Sequence, residues 1–229
     1  MTTDWFAGAV AERYDADTTG RPVEPVLDFL EPLAGGGALE LAVGTDRIAV
    51  PLAARGVRVA GIDLSADMVA QLRRKSGTIP VAIGDMTTTR VDGTFSLVYL
   101  VFNSILNVTT QDGQIATFAN AAAHLVPGGR FVVEVGVPPE NPRSVFALSD
   151  THTGIDEFDA DTQRLVSHHF RLRDGSWERL SMPFRAVWPA ELDLMARLAG
   201  MELRERWAGW GREPFTATSG SHVSVWELV

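Results

Sequence analysis

Three acidic residues stand where they could meet a sugar: Glu40 inside the apolar run ALELAV, Asp63 at the end of VRVAGID, and Asp85 just after IPVAIG. An ionised carboxylate accepts hydrogen bonds at both oxygens, so one that closes a strand after a tight turn can take both hydroxyl protons of a ribose. The turn is AVGTD, residues 42 to 46, preceded by Gly35, Gly36 and Gly37. It has the cadence of a nucleotide-binding turn, but Ala42 and Asp46 stand where further glycines would let backbone amides approach a pyrophosphate. Asp46 would also set like charges together in a partly dry site, which disfavours a pyrophosphate cofactor of the NAD type. A nucleoside that lacks phosphates, and carries a cationic centre with an ammonium group, meets no such repulsion.

These residues need a frame that brings strand ends together. An N-terminal helical segment is expected to end near Tyr14-Asp15, and VEPVLDFLEPL reads as a helix stopped by the glycine cluster. Then ALELAV reads as a buried strand and the stretch from Arg47 to Gly56 as a helix, which Asp46 is expected to cap. VRVAGID, IPVAIGDM, FSLVYLVF and RFVVEVGV supply four more strands, with helices at SADMVAQLRRKS, where Ser65 is the N-cap, and at DGQIATFANAAAHLV. Alternating strands and helices predict an α/β, Rossmann-like, doubly wound sheet, mostly parallel. After Pro138 the pattern changes: RLVSHHFRLRDGSWERLSMPFRAVW predicts two antiparallel strands joined at Asp174-Gly175. The helix PAELDLMARLAG and strands MELRERW and HVSVWEL close the chain, so the expected sheet has seven strands with an antiparallel last strand and an inserted hairpin region. We expect one domain over 1–229, with 139–188 as a cap on the acceptor side.

Composition narrows the partners. A formal net charge of -9 works against nucleic acid, whose binding draws on Lys and Arg. The N-terminus lacks a basic segment followed by an apolar one, and no apolar run approaches a bilayer span, so a cytoplasmic protein without a membrane partner is expected. The absence of cysteine removes thiolate metal sites and a cysteine nucleophile, and no metal is expected. Self-association into a homo-oligomer is compatible with all of this.

The chain resembles the class I S-adenosylmethionine-dependent methyltransferases, in particular small enzymes acting on metabolites and natural products. Glu40 matches the acidic residue of the first motif, and Ala42, Gly44 and Asp46 fall on its three glycines. Asp63 matches the ribose-binding acid with Leu64 beside it, Asp85-Met86 the pair flanking adenine, and Leu100 to Asn103, including Val101, the segment beneath the methyl group. HLVPGGRFVVE matches the helix, turn and fifth strand, and Tyr14 a tyrosine near the methionine end of the cofactor. The resemblance implies S-adenosyl-L-methionine as cofactor, held by Tyr14, Glu40, Ala42, Gly44, Asp63, Leu64, Met68, Asp85, Met86 and Val101, and methyl transfer to oxygen or nitrogen of a small-molecule acceptor. The altered glycines motivate an alternative, a methyltransferase fold that binds the cofactor without transferring methyl. An NAD(P)-dependent oxidoreductase shares the strand-turn-helix and Asp63 but lacks the phosphate-binding glycines.

No catalytic base is identified. His168 and His169 are adjacent on an expected strand and point to opposite faces, which separates them as joint metal ligands. Trp177, Trp188, Trp207 and Trp210 are expected in core and pocket walls.

Overall fold

The computed structural model describes residues 3–229. From the N-terminus, α1 (Ala9–Thr18) and α2 (Glu24–Leu30) lead to β1 (Ala38–Leu41), α3 (Ala49–Ala54), β2 (Val59–Asp63), α4 (Ala66–Lys75), β3 (Val81–Ile83), β4 (Phe95–Leu100), α5 (Gln111–His124) and β5 (Leu125–Gly136). Four strands follow, β6 (Arg143–Leu148), β7 (His152–Asp159), β8 (Arg164–Arg173) and β9 (Ser176–Arg185), and then α6 (Pro189–Leu198), β10 (Met201–Trp207) and β11 (Ser221–Leu228).

The main sheet has seven strands in the order β10-β11-β5-β4-β1-β2-β3. Strands β1 to β5 are parallel and β11 runs antiparallel between β5 and β10. β1 and β2 are buried along their whole length, as strands covered by helices on both faces must be. One face buries Leu39, Leu41, Val98 and Phe131, and the other buries Ala38, Leu97, Tyr99 and Val132. Each such large side chain contributes about 1.5–3 kcal/mol by leaving water.

Local chemistry sets the ends of the helices. Ser65 accepts from the Met68 amide (3.4 Å) at the start of α4, and Thr110 accepts from the Gly113 amide (3.1 Å) at the start of α5. Pro189 opens α6, where its missing N–H costs nothing. Arg73, Arg74 and Lys75 close α4 and complement its dipole.

The second sheet is antiparallel in the order β6-β7-β8-β9. Its β8–β9 hairpin turns at Asp174 (φ 48°) and Gly175 (φ 79°), the left-handed pair that a two-residue turn requires. The expected hairpin is therefore half of a four-stranded sheet. β6 and β7 escape a periodicity search because β6 is a mostly exposed edge strand, so its sequence lacks the alternation that a buried face imposes. α1 likewise runs past Tyr14-Asp15 to Thr18. Among the described residues no helix is long and apolar enough to cross a membrane.

Candidate active site

The strand order reverses between β1 and β4, and a cavity of about 540 Å³ opens at the carboxyl ends of the neighbouring strands. Asp63, closing β2, is a fixed point of its wall. Its Oδ2 accepts from the Gly44 amide (2.7 Å) and its Oδ1 from the Ser65 amide (2.8 Å). Burial raises the Asp63 pKa and these two amides oppose the rise. Each carboxylate oxygen has two lone pairs, so both retain acceptor capacity for a diol. Leu64 and Met68 line the cavity beside it, and Leu64 is exposed there to 36%. Asp85 and Met86 line the next stretch, with Asp85 accepting from the Thr87 amide (2.9 Å) and hydroxyl (2.8 Å).

Glu40 lies under this wall, only 2% exposed. The parallel register sets it beside Tyr99 of β4, whose hydroxyl donates to Glu40 Oε2 (2.9 Å). Burial pushes the Glu40 carboxyl up to about 8, against the Tyr99 hydrogen bond and the charge of Arg47. No cation contacts Glu40 among the described residues. At neutral pH this carboxyl is protonated, and a cation brought near it favours its ionised form.

The AVGTD turn keeps the backbone of a glycine turn without its glycines. Ala42 (φ 55°), Gly44 (φ 63°) and Asp46 (φ 123°) all have positive φ, so the ordinary dihedrals that would make Ala42 harmless are absent. Asp46 is not the N-cap expected of it. α3 starts at Ala49 with Ile48 in the cap position and no side-chain cap bond, because Asp46 turns instead to Lys75 Nζ (2.8 Å).

Lys75 also bonds Asp15 of α1 and the Thr45 carbonyl (3.2 Å), while the Thr45 hydroxyl donates to Asp15 (2.5 Å). The turn thus holds α1 against the cavity. Tyr14 lines the cavity, as does the segment from Asp4 to Phe6, and Phe6 packs edge-on against Tyr14 at 6.1 Å. The Gly8 amide ties this segment to Asp67 (2.7 Å). Sequence reasoning named Tyr14 and missed Asp4 to Phe6, although the adjacent aromatics Trp5 and Phe6 were a visible signal. It also missed Arg21 and Arg47, which sit over the Phe102 ring at 3.6 and 5.2 Å and whose charges reach Tyr14.

Of the expected residues, Val101 and Glu40 stand behind the cavity lining. Val101 is 6% exposed within the core cluster, and its carbonyl accepts from the Ser104 hydroxyl (2.8 Å). The chain turns sharply there through Phe102 and Asn103, both at φ 59°. The cavity contacts from this segment come from Ser104 and Asn107, and Asn107 Oδ1 is buried without a hydrogen-bond partner among the described residues. His168 pairs with Ser181 on one face of β8, and His169 with His152 on the other.

These residues fit a cofactor that is nucleoside at one end and cationic at the other. Asp63 offers acceptors for a diol, Leu64 and Met86 offer apolar surface for a base, and Glu40 is a buried carboxyl that makes no ion pair among the described residues. Nothing in the turn suits a phosphate.

Comparison with known proteins agrees. A family model described as a methyltransferase domain matches residues 38–129. The chain is 30% identical over 209 residues to the cypemycin N-terminal methyltransferase of a Streptomyces species, covering 86% of this chain and 84% of that protein. It is 29% identical to a dTDP-3-amino-3,6-dideoxy-alpha-D-glucopyranose N,N-dimethyltransferase of Streptomyces fradiae, covering 80% and 73%. The solved CcbJ methyltransferase from Streptomyces caelestis superposes with a TM-score of 0.87 at 31% identity, over 99% of this chain and 100% of that one.

Proposed function

The chain belongs to the class I S-adenosylmethionine-dependent methyltransferases, and from that premise we propose that it methylates an amine nitrogen of a small metabolite. The cavity carries the proposal: a ribose-type aspartate stands in its wall over a buried carboxyl, and its described lining includes no histidine or lysine. Transfer to a neutral amine needs no base at the moment of reaction, whereas an alcohol must lose its proton as it attacks. Names of relatives support nitrogen, being an N-terminal methyltransferase and N,N-dimethyltransferases of amino sugars.

When bound, the cofactor supplies an electrophilic methyl carbon. The chain's part is to align and to exclude water. Asp63 takes the ribose hydroxyls, Leu64, Met68, Asp85 and Met86 enclose the base, and Glu40 faces the cationic half with Ala42 and Gly44 forming the turn. Arg21 and Arg47 supply positive charge for a carboxylate, and Tyr14 with Asp4 to Phe6 closes the cavity to solvent. We take 1–229 to work as one domain in which 139–188 covers the acceptor.

The test is transfer of a labelled methyl group from S-adenosylmethionine to dTDP-3-amino-3,6-dideoxyglucose, to a peptide with a free amino terminus, and to the 3-hydroxy analogue of the sugar. Label is expected on nitrogen of an amine and absent from the hydroxy sugar. Equal labelling of the hydroxy sugar would refute the assignment to nitrogen. Cofactor binding without transfer to either amine would count against both acceptor types.

A further inference from the structure

Strands β1 and β4 lie side by side where the strand order reverses, and the chain leaves both through turns with left-handed residues. β1 opens into the AVGTD turn and Arg47; β4 opens into Phe102 and Asn103, both at φ 59°. A phenylalanine in the left-handed region is an outlier costing about 1–3 kcal/mol, and it persists only where its surroundings over-determine it. Here they do. The Phe102 amide donates to Glu134 Oε2 (2.8 Å), the Asn103 amide donates to the Glu134 carbonyl (3.2 Å), and Asn103 Oδ1 accepts from the Gly136 amide (2.6 Å). Glu134 is itself held at Oε1 by the Trp210 indole N–H (2.9 Å).

The ring so placed carries two cations. The Arg21 guanidinium lies 3.6 Å from its centroid and the Arg47 guanidinium 5.2 Å. Arg47 comes from the turn after β1 and Arg21 from the segment after α1, so three separate parts of the chain converge at Phe102. Among the described residues neither guanidinium makes an ion pair or a hydrogen bond. Other arginines of the molecule are neutralised, Arg55 by Glu24 and Asp28, and Arg171 and Arg173 by Asp17. Burial pulls the Arg21 pKa down, and the charge of Arg47 pulls it the same way. The pair stands beside the cofactor cavity. Ala42 and Gly44 of the Arg47 turn line that cavity, as do Ser104, two residues after Phe102, and Tyr14, whose hydroxyl feels both charges. Two planar guanidiniums without an acid partner are complementary to a carboxylate, which each can meet with a fork of N–H donors.

We propose that Phe102 is a positioning residue for the cofactor: its ring, pinned in a left-handed backbone by Glu134, sets Arg21 and Arg47 side by side to receive the carboxylate of the cofactor's amino-acid end. The proposal deepens the cofactor assignment given above and rests on it.

S-adenosylhomocysteine and 5′-methylthioadenosine are the probes, since they share the nucleoside and its thioether and only the first carries the amino acid. Each is titrated by calorimetry into the full chain, and the wild type should prefer S-adenosylhomocysteine. Phe102→Leu removes the aromatic face, and Phe102→Gly removes the ring while suiting φ 59°. Both should weaken S-adenosylhomocysteine about tenfold and leave 5′-methylthioadenosine unchanged, whereas Phe102→Tyr, which keeps the ring face, should keep the preference. A loss shared equally by the two ligands would mark Phe102 as a packing residue and overturn the proposal, and so would unchanged S-adenosylhomocysteine binding in the Leu and Gly variants. Arg21→Gln alters an exposed side chain, so it tests the site even where a ring variant fails to fold. It too should weaken S-adenosylhomocysteine alone, and unaltered binding overturns the proposal. Equal affinity of the wild type for the two probes strikes the carboxylate site by itself; binding of neither strikes the cofactor assignment beneath it.

Discussion

Glu40→Gln isolates a single charge in the proposed cofactor site. In the free protein burial holds the Glu40 carboxyl at about 8, so at pH 6.5 it is neutral and hydrogen-bonded to Tyr99. A cationic ligand favours the carboxylate, and below pH 8 binding must then expel a proton at a cost of about 1.4 kcal/mol per pH unit. Lowering the pH from 8 to 6.5 should weaken S-adenosylmethionine by about 1.6 kcal/mol, roughly sixteenfold because the carboxyl is already half protonated at pH 8, beyond any change from the ligand's own amino group. Glutamine keeps an oxygen for Tyr99 and cannot ionise. At pH 8.5 the variant should bind about 1.5–3 kcal/mol more weakly, the range for a hydrogen bond to a charged group, and at pH 6.5 the two proteins should converge. Calorimetry of both proteins across this range cancels the titration of the ligand, and parallel pH profiles would refute the reasoning.

The same shift has a consequence for the free protein. A carboxyl raised on folding contributes stability that is complete below its ordinary value near 4.5 and is lost as pH rises through about 8. Glu40→Gln should therefore melt close to the wild type at pH 5 and above it at pH 8.5.

Asp63→Asn should weaken S-adenosylhomocysteine binding by about 1.5–3 kcal/mol, because the amide can no longer accept from Gly44, Ser65 and two ribose hydroxyls together; unchanged affinity by calorimetry would remove Asp63 from the ribose. Asp46→Gly should stabilise the fold by about 1 kcal/mol in denaturant melts, since relief at φ 123° exceeds the 0.2–1 kcal/mol expected of the part-exposed Lys75 pair. Lys75→Ala should speed hydrogen exchange in α1 and leave exchange in β4 and β5 unchanged, and uniform acceleration would show that it does not act through α1.

The parallel half of the fold was legible because its strands are buried on both faces and its helices carry caps. Ser65 and the apolar run of β4 announce themselves, and so do Asp63 and Leu64, whose position at the end of β2 follows from the strand itself. The antiparallel half was legible only where a turn type is encoded, at Asp174-Gly175. β6 has no buried face to impress on its sequence. Val101 shows a complementary limit: an apolar residue at a motif position looks the same in sequence whether it meets a ligand or packs into the core, where the structure puts its side chain.

Asp46 was illegible for a different reason. A residue type describes what a side chain can do locally, and a cap was the local option, but the partner that wins is Lys75, at the far end of α4. That choice joins three separate elements, since Lys75 also holds Asp15 of α1, and Asp15 holds Thr45 of the turn. Burial alone would raise the Asp15 carboxyl, and Lys75 and Thr45 more than offset it, so the link is strongest with Asp15 ionised. A glycine at position 46 would relax the turn and leave Lys75 one carboxylate fewer. The departure from the glycine pattern therefore exchanges local backbone ease for an ionic connection between the cofactor turn and the helix that carries Tyr14.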